Sequence, residues 1–461
     1  MTGWDRYRPL DGGWVGLLRR TSWRVRCGIV VEREGAVVVV RSAGDDEHRL
    51  RQVVRALPAA PASVVVGTTG KAVLPVLARV VADRAGRGAG VVRLVAPGGL
   101  PAVDPSWWRR LAEATGVELL VPSGPVAVAG GTLFVRGDHE RLPGTWRRYA
   151  PGGSGRDLGP RHPPPHWQDA VPASGTRVHG RLIAEHLPVG VVLRPAATAP
   201  PAEWHAVAPD PHRVTVIVGV PGGPRVCAED VTDYLATLLP EVCAAARLVC
   251  GDGQDAVTLG RTAAGLLGTA VTVVDGTPVV RGDEMRFTLR DGAGRPTWAP
   301  YLQEIRCPAG EASAAPLRWR VPVAGLVPHS PGVFRVDDGW LLGVMRSGLW
   351  LRRNGRPPHP VPVGPPVDPA VVTLAVGDPG EPLPEQVWPV LADLVDRLDA
   401  DVLPRLRLSV LGEPGPRGRA AARELARGRD IGIRLPGAVS GQPLPGPVRS
   451  RSSASTSDRP R

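Results

Sequence analysis

The chain has 461 residues, with 56 Lys plus Arg against 44 Asp plus Glu and a formal net charge of +12. At roughly 150 residues per domain that length points to about three domains. Hydrophobic residues at 43% and charged residues at 22% exclude a largely disordered basic chain.

Residues 1–20 form an N-terminal segment with Asp5, Asp11 and only a short apolar patch at 14–18. They lack the apolar core and cleavage site of a signal peptide. No stretch approaches the ~20 apolar residues of a membrane span. Five cysteines, Cys27, Cys227, Cys243, Cys250 and Cys307, show no CxxC spacing. That pattern is neither a disulfide framework nor a zinc ribbon, and it points to a reduced, cytoplasmic chain. Export by a non-classical route leaves no sequence signal and stays open.

Module 1, residues 21–151, reads as strand Val64-Val-Val-Gly67, a helix over 73–81, strand Arg93-Leu-Val-Ala96, a helix ending at Gly116 and a strand over 117–121. A Pro/Gly-rich stretch, 152–178, reads as an extended linker. Module 2, residues 179–310, repeats the order with Val216-Ile-Val-Gly219, a helix over 231–239, Arg247-Leu-Val-Cys250, Gly268 and a strand over 270–274. Module 3, residues 311–440, repeats it again with Leu374-Ala-Val-Gly377, 387–398, Arg407-Leu-Ser-Val410, Gly428 and 431–435. The first strands lie 152 and 158 residues apart and the second strands 154 and 160, so the chain is an internal repeat. Residues 441–461, rich in Pro, Ser and Arg, read as a disordered basic tail.

Two further landmarks recur. Thr145-Trp146-x-x-Tyr149 returns as Thr297-Trp298-x-x-Tyr301, and strands opening with Gly28, Gly190 and Gly332 precede the cores. Continuous apolar strands joined by helices favour parallel pairing with right-handed crossovers. The expected fold is α/β: three tandem α/β sandwich modules, mostly parallel sheets flanked by helices. The third, having no Thr-Trp segment, is expected to be truncated.

Ligands of open parallel sheets bind beyond the carboxyl ends of the strands. The loops there begin at Gly67, Gly219, Cys250 and Gly377. Gly67-Thr-Thr-Gly-Lys71 invites comparison with a phosphate loop, but Val65 and Ala72 stand where a Walker motif needs Gly and Ser/Thr. A plain strand-to-helix turn competes with that reading. Lys71 is also the only lysine, so the Arg bias reads as a codon preference. The ten His are scattered, no metal-ligand spacing occurs, and neither metal nor cofactor is expected. Asp252 and Asp255 suit capping of the helix after Cys250. Trp146 and Trp298 read either as packing over a sheet edge or as a recognition surface.

The Arg-Leu-Val-Cys-Gly strand at 247–251, the phrase Leu111-Ala-Glu-Ala-Thr-Gly-Val-Glu-Leu-Leu-Val-Pro-Ser123 and Gly144-Thr-Trp-Arg-Arg-Tyr149 carry a resemblance. Across most of residues 60–310 the chain resembles the caspase-like cysteine protease modules of large bacterial toxins. It is more similar still to repeated, degenerate copies of them in giant actinobacterial toxin-associated proteins. The resemblance implies a catalytic Cys after the second strand and a His after the first. Cys250 matches the Cys position, where the other modules hold Ala96 and Val410; Gly67, Gly219 and Gly377 stand at the His position. A base for Cys250 would come from another segment, such as His186, His205 or His329, with the amides of Gly251 and Asp252 as oxyanion donors.

The leading expectation is therefore a non-catalytic protein-interaction or scaffold protein. Lys71, Gly219, Asp252, Asp255, Trp146 and Trp298 are its candidate binding residues and a protein is its partner. The alternative is a cysteine hydrolase or self-processing component using Cys250 and His186. Dispersed Arg and few Tyr and Phe argue against nucleic-acid binding.

Overall fold

A computed structural model describes residues 21–24, 28–57, 61–137, 144–173, 175–178, 181–281, 284–310, 313–355 and 366–436. The N-terminal segment, Cys27 and the basic tail lie outside them. The fold is α/β, built on three mixed sheets with parallel centres and antiparallel flanks.

Module 1 runs β1 (Thr21–Arg24), β2 (Ile29–Glu34), β3 (Val37–Ser42), α1 (Glu47–Ala56), β4 (Ala62–Val66), α2 (Leu74–Gly86), β5 (Val91–Val95), α3 (Pro105–Thr115) and β6 (Glu118–Pro122). A hairpin, β7 (Val126–Ala129) and β8 (Thr132–Val135), follows, then β9 (Trp146–Tyr149), β10 (Arg156–Asp157) and β11 (Arg161–His162). The sheet order is β1-β2-β3-β4-β5-β6-β9-β10, with β3 to β6 parallel. Strands buried on both faces explain the unbroken Val runs. On one face Val64, Val66, Leu94 and Leu119 meet Leu77, Val81, Trp108 and Leu111 of α2 and α3. On the other, Val65, Val95 and Leu120 meet Leu50 of α1 and the β7–β8 hairpin. Thus the second face is covered largely by a hairpin, where the apolar runs alone suggest helices.

Module 2 repeats the strand order, with a 3-10 turn in place of α1: β12 (Thr176–Val178), β13 (Leu182–Leu187), β14 (Gly190–Pro195), β15 (Thr215–Val218), α4 (Ala228–Ala236), α5 (Pro240–Ala245), β16 (Arg247–Cys250), α6 (Ala256–Leu267) and β17 (Val271–Val274). The hairpin β18 (Thr277–Arg281) and β19 (Glu284–Thr288) is followed by β20 (Leu302–Cys307) and β21 (Ala315–Trp319). Module 3 runs β22 (Val327–Ser330), β23 (Val333–Arg335), β24 (Trp340–Met345), β25 (Gly348–Arg353), β26 (Val372–Val376), β27 (Pro382–Leu383), α7 (Val387–Asp396), β28 (Leu406–Val410), β29 (Glu413–Pro414), α8 (Pro416–Gly428) and β30 (Gly432–Arg434). Its sheet has seven strands against eight in each of the others, and among the described residues nothing follows β30 as β9 follows β6. Among the described residues the third copy has the smallest sheet.

The Arg-Leu landmark has a physical cause. Arg93 lies fully buried beneath the hairpin and donates to Ser63 Oγ at 2.8 Å. Arg247 does the same to Thr215 Oγ1 at 3.2 Å. In module 3, where no such hairpin is described, Arg407 is exposed. Two other landmarks are corrected by the strand register. Gly28, Gly190 and Gly332 open non-equivalent strands; the true counterpart of Gly190 is Gly348, each opening the strand beside the parallel core. The two Thr-Trp segments differ as well. Tyr149 pairs with Leu119 and Cys307 with Val271, so Trp146 sits inside a sheet strand while Trp298 precedes its strand by a loop.

The segment read as an extended linker is packed. Arg161 is fully buried, its guanidinium bonding the carbonyls of Leu187 (2.5 Å), Gly190 (2.6 Å) and Pro188 (2.9 Å) in the β13–β14 turn. Trp167 stacks on that guanidinium, and its ring belongs to the module 2 core. No helix of the described residues is long and apolar enough to cross a membrane.

Candidate functional site

The best-formed constellation lies at the carboxyl edge of the module 2 sheet. Parallel register sets Cys250 beside Val218, and the Gly251 N–H continues the ladder by donating to the Val218 carbonyl at 2.8 Å. That amide is therefore spent in the sheet. Gly219 takes φ +72°, and a Cβ there would stand 2.6 Å from the Asp252 Cβ. Asp252 in turn accepts the N–H of Val226 at 3.1 Å and of Gln254 at 3.2 Å. Gly219 and Asp252 thus fold the two loops against each other.

Asp255 is the N-cap of α6, accepting the Thr258 N–H at 2.7 Å. Its other oxygen accepts Arg346 Nη2 at 2.7 Å. Arg346 comes from module 3, in the turn between β24 and β25, and is buried. It also grips Asp275, just after β17, through Nε and Nη2, both at 2.7 Å. An arginine of one module thereby closes the strand ends of the module before it. A cavity of about 380 Å³ remains beside it, with Cys250, Asp252, Asp275 and Arg290 in its wall.

The electrostatics oppose a thiolate. Burial pushes the Cys250 thiol well above its ordinary value, Asp252, Asp275 and Asp255 add to the rise, and Arg346 alone works against it. Burial also works against the Arg346 charge, but Asp275 and Asp255 outweigh it and hold its pKa above the ordinary value. Burial raises Asp252, whereas the Thr258 and Arg346 hydrogen bonds outweigh burial and lower Asp255.

No histidine among the described residues lines the cavity. His186 shares a sheet face with Cys250 but sits on β13, three strands away, or about 14 Å at the usual strand spacing. It is buried, its Nε2 is 2.8 Å from the Pro172 carbonyl, and burial with help from Arg161 pushes its pKa down to about 3. His205 lies near Phe134 of module 1, and His329 is exposed on β22. The structure therefore brings Cys250, Asp252 and Asp255 together and leaves all three histidines elsewhere.

Lys71 is exposed in a 3-10 turn ahead of α2. Trp146 and Trp298 are fully buried, so neither ring offers a recognition surface. Trp298 instead joins modules 2 and 3, its Nε1 donating to the Asp368 carbonyl at 2.9 Å. Asp275 and Arg346 escape a motif search because nothing local marks them. The available signal is a charged residue at the end of an apolar strand, Val-Val-Asp275 and Val-Met-Arg346.

No protein-family model and no curated protein matches this chain. Among solved structures, an amidase from Nesterenkonia sp. is 14% identical with a TM-score of 0.15, covering 51% of this chain and 81% of its own. That TM-score is too low to bear on fold or activity.

Proposed function

We propose that the chain is a non-catalytic interaction or scaffold protein, built from degenerate caspase-like modules and acting on a protein partner. The proposal extends to a cytoplasmic, toxin- or secretion-associated setting, which follows from the resemblance alone. One observation carries the non-catalytic reading: Arg346 of module 3 fills the strand-end position of module 2, beside a thiol that three carboxylates disfavour as an anion. A cysteine nucleophile needs the reverse field, with a base within ~3 Å. The hydrolase alternative keeps one point in its favour, since Cys250 does border a cavity at the strand ends.

Incubating the full chain with a peptide library under reducing conditions separates the two. The scaffold reading expects no cleavage that Cys250→Ala removes. Robust turnover lost in that variant overturns it.

A further inference from the structure

A second cleft, of about 550 Å³, lies at the junction of modules 1 and 2. Its walls are α1, the β7–β8 hairpin, the segment around Ala206 and Ala208, and the β18–β19 hairpin. It opens at the carboxyl ends of the module 1 strands, where Pro97 follows β5 and Pro125 follows β6. Ligands of open α/β sheets are found at such edges.

The lining is unusual in its charge. Arg49 and Arg136 are its charged side chains, Gln52 is its remaining polar chain, and the rest is Val, Ala, Pro, Gly and Met. No carboxylate lines it among the described residues. Both arginines line the same cleft, and partial burial lowers the Arg136 pKa, with the Arg49 charge lowering it further. Val280, one of the few large apolar side chains left exposed, belongs to the same wall.

The second junction shows what satisfies such a site. There the arginines meet carboxylates of the chain itself: Arg346 holds Asp275 and Asp255, and Arg320 pairs with Asp399. At the first junction no such acid stands among the described residues, and an apolar wall lies beside the cations. We propose that the cleft between modules 1 and 2 binds a small aliphatic carboxylate, its head held by Arg49 and Arg136 and its chain lying along Val53, Val126, Val280 and Met285. Guanidinium forks suit carboxylates, and the cavity volume is that of a small-molecule site. This inference is independent of the scaffold reading.

The test is titration calorimetry of the full chain with octanoate at low ionic strength, against octanol and octylamine of the same chain length. One saturable octanoate site is expected, with octanol binding about tenfold more weakly and octylamine not at all. Arg49→Gln and Arg136→Gln, both at exposed positions, should each weaken octanoate by about tenfold, and added salt should weaken it further. Val280→Glu, which brings a carboxylate into the cleft, should abolish binding without touching either arginine. Absence of saturable octanoate binding, equal affinity for octanol, or unchanged affinity in the two arginine variants overturns the proposal.

Discussion

At Cys250 burial comes first and the sign of the local field adds to it. Cysteine nucleophiles work as thiolates, which helix N-termini and neighbouring cations favour. The helix after Cys250 is present, but its first turn is already served by Asp255, and the charges of Asp252 and Asp275 also disfavour the thiolate. Iodoacetamide at pH 7 should therefore modify exposed Cys227 well before Cys250, as read by peptide mass spectrometry. Cys250 should gain appreciable rate only above pH 9; fast reaction of Cys250 alone below pH 7 would reverse this reading. His186 gives a second residue-scale test. In the folded chain it takes a proton only near pH 3, whereas an unfolded histidine does so near 6.5. Between those values the unfolded state binds more protons, so its contribution to stability is present above pH 6.5 and is lost as pH falls through that window. Urea melts of His186→Gln should lose less stability between pH 7 and pH 4.5 than melts of the native chain. An identical loss in both would remove His186 from the account. The position of Cys250 was legible in the sequence because a strand end is a local feature. The upward push on its thiol was not, because it comes from burial under the folded chain and from carboxylates that include Asp275 on another strand.

At the scale of elements, strand register decides what the sequence repeat means. Gly190 and Gly348 lie at one structural position, where the hairpin strand enters parallel pairing. An added Cβ would stand 1.9 Å from the Thr215 carbonyl oxygen in one module and 2.1 Å from that of Thr373 in the other. The obstacle is backbone in both cases, so no rotamer change relieves it. Gly190→Ala and Gly348→Ala should each destabilise their modules by about 3 kcal/mol or more, measured by chemical denaturation. Gly175→Ala, whose Cβ meets nothing within 4 Å, is a useful contrast because only its positive φ is strained. If all three variants cost the same, the close approach is not what requires glycine. The same register explains why the Thr-Trp repeat misleads. A fixed offset in sequence is kept while the residues between drift, so a buried strand Trp in one copy aligns with a junction Trp in the next. Apolar runs and helix-ending glycines survive that drift because they answer to local physics. Gly116 and Gly268 both take φ +68° to end α3 and α6. The hairpin over the second sheet face was hidden for a related reason: a strand buried under a hairpin and one buried under a helix present the same apolar run.

Across the whole molecule, the cores are not distributed one per module. Module 1 keeps two clusters of its own, one under α2 and α3 and one under the β7–β8 hairpin. The helix-side core of module 2 is continuous with that of module 3, running from Trp167 and Val216 through Trp298 and Tyr301 to Leu374 and Leu425. Polar contacts reinforce the second junction: Arg320 covers the Tyr301 ring at 4.0 Å, and Arg397 donates to the Ala324 carbonyl at 2.7 Å. Elements that share a dry core unfold together, whereas separate cores need not. Calorimetry should therefore resolve two transitions, module 1 alone and modules 2 and 3 as one. Arg346 is the charged part of that union. Replacing it by Met removes three hydrogen bonds and leaves Asp275, itself buried, without its countercharge, a change that typically costs about 3–5 kcal/mol. Arg346→Met should lower the larger transition or split it in two, and leave the module 1 transition where it was. Pairing it with Asp275→Asn should recover part of the loss, since the stranded charge is then gone. A single transition for the native chain, or an Arg346→Met shift that moves all three modules together, would mean that the modules are coupled by something other than this shared core.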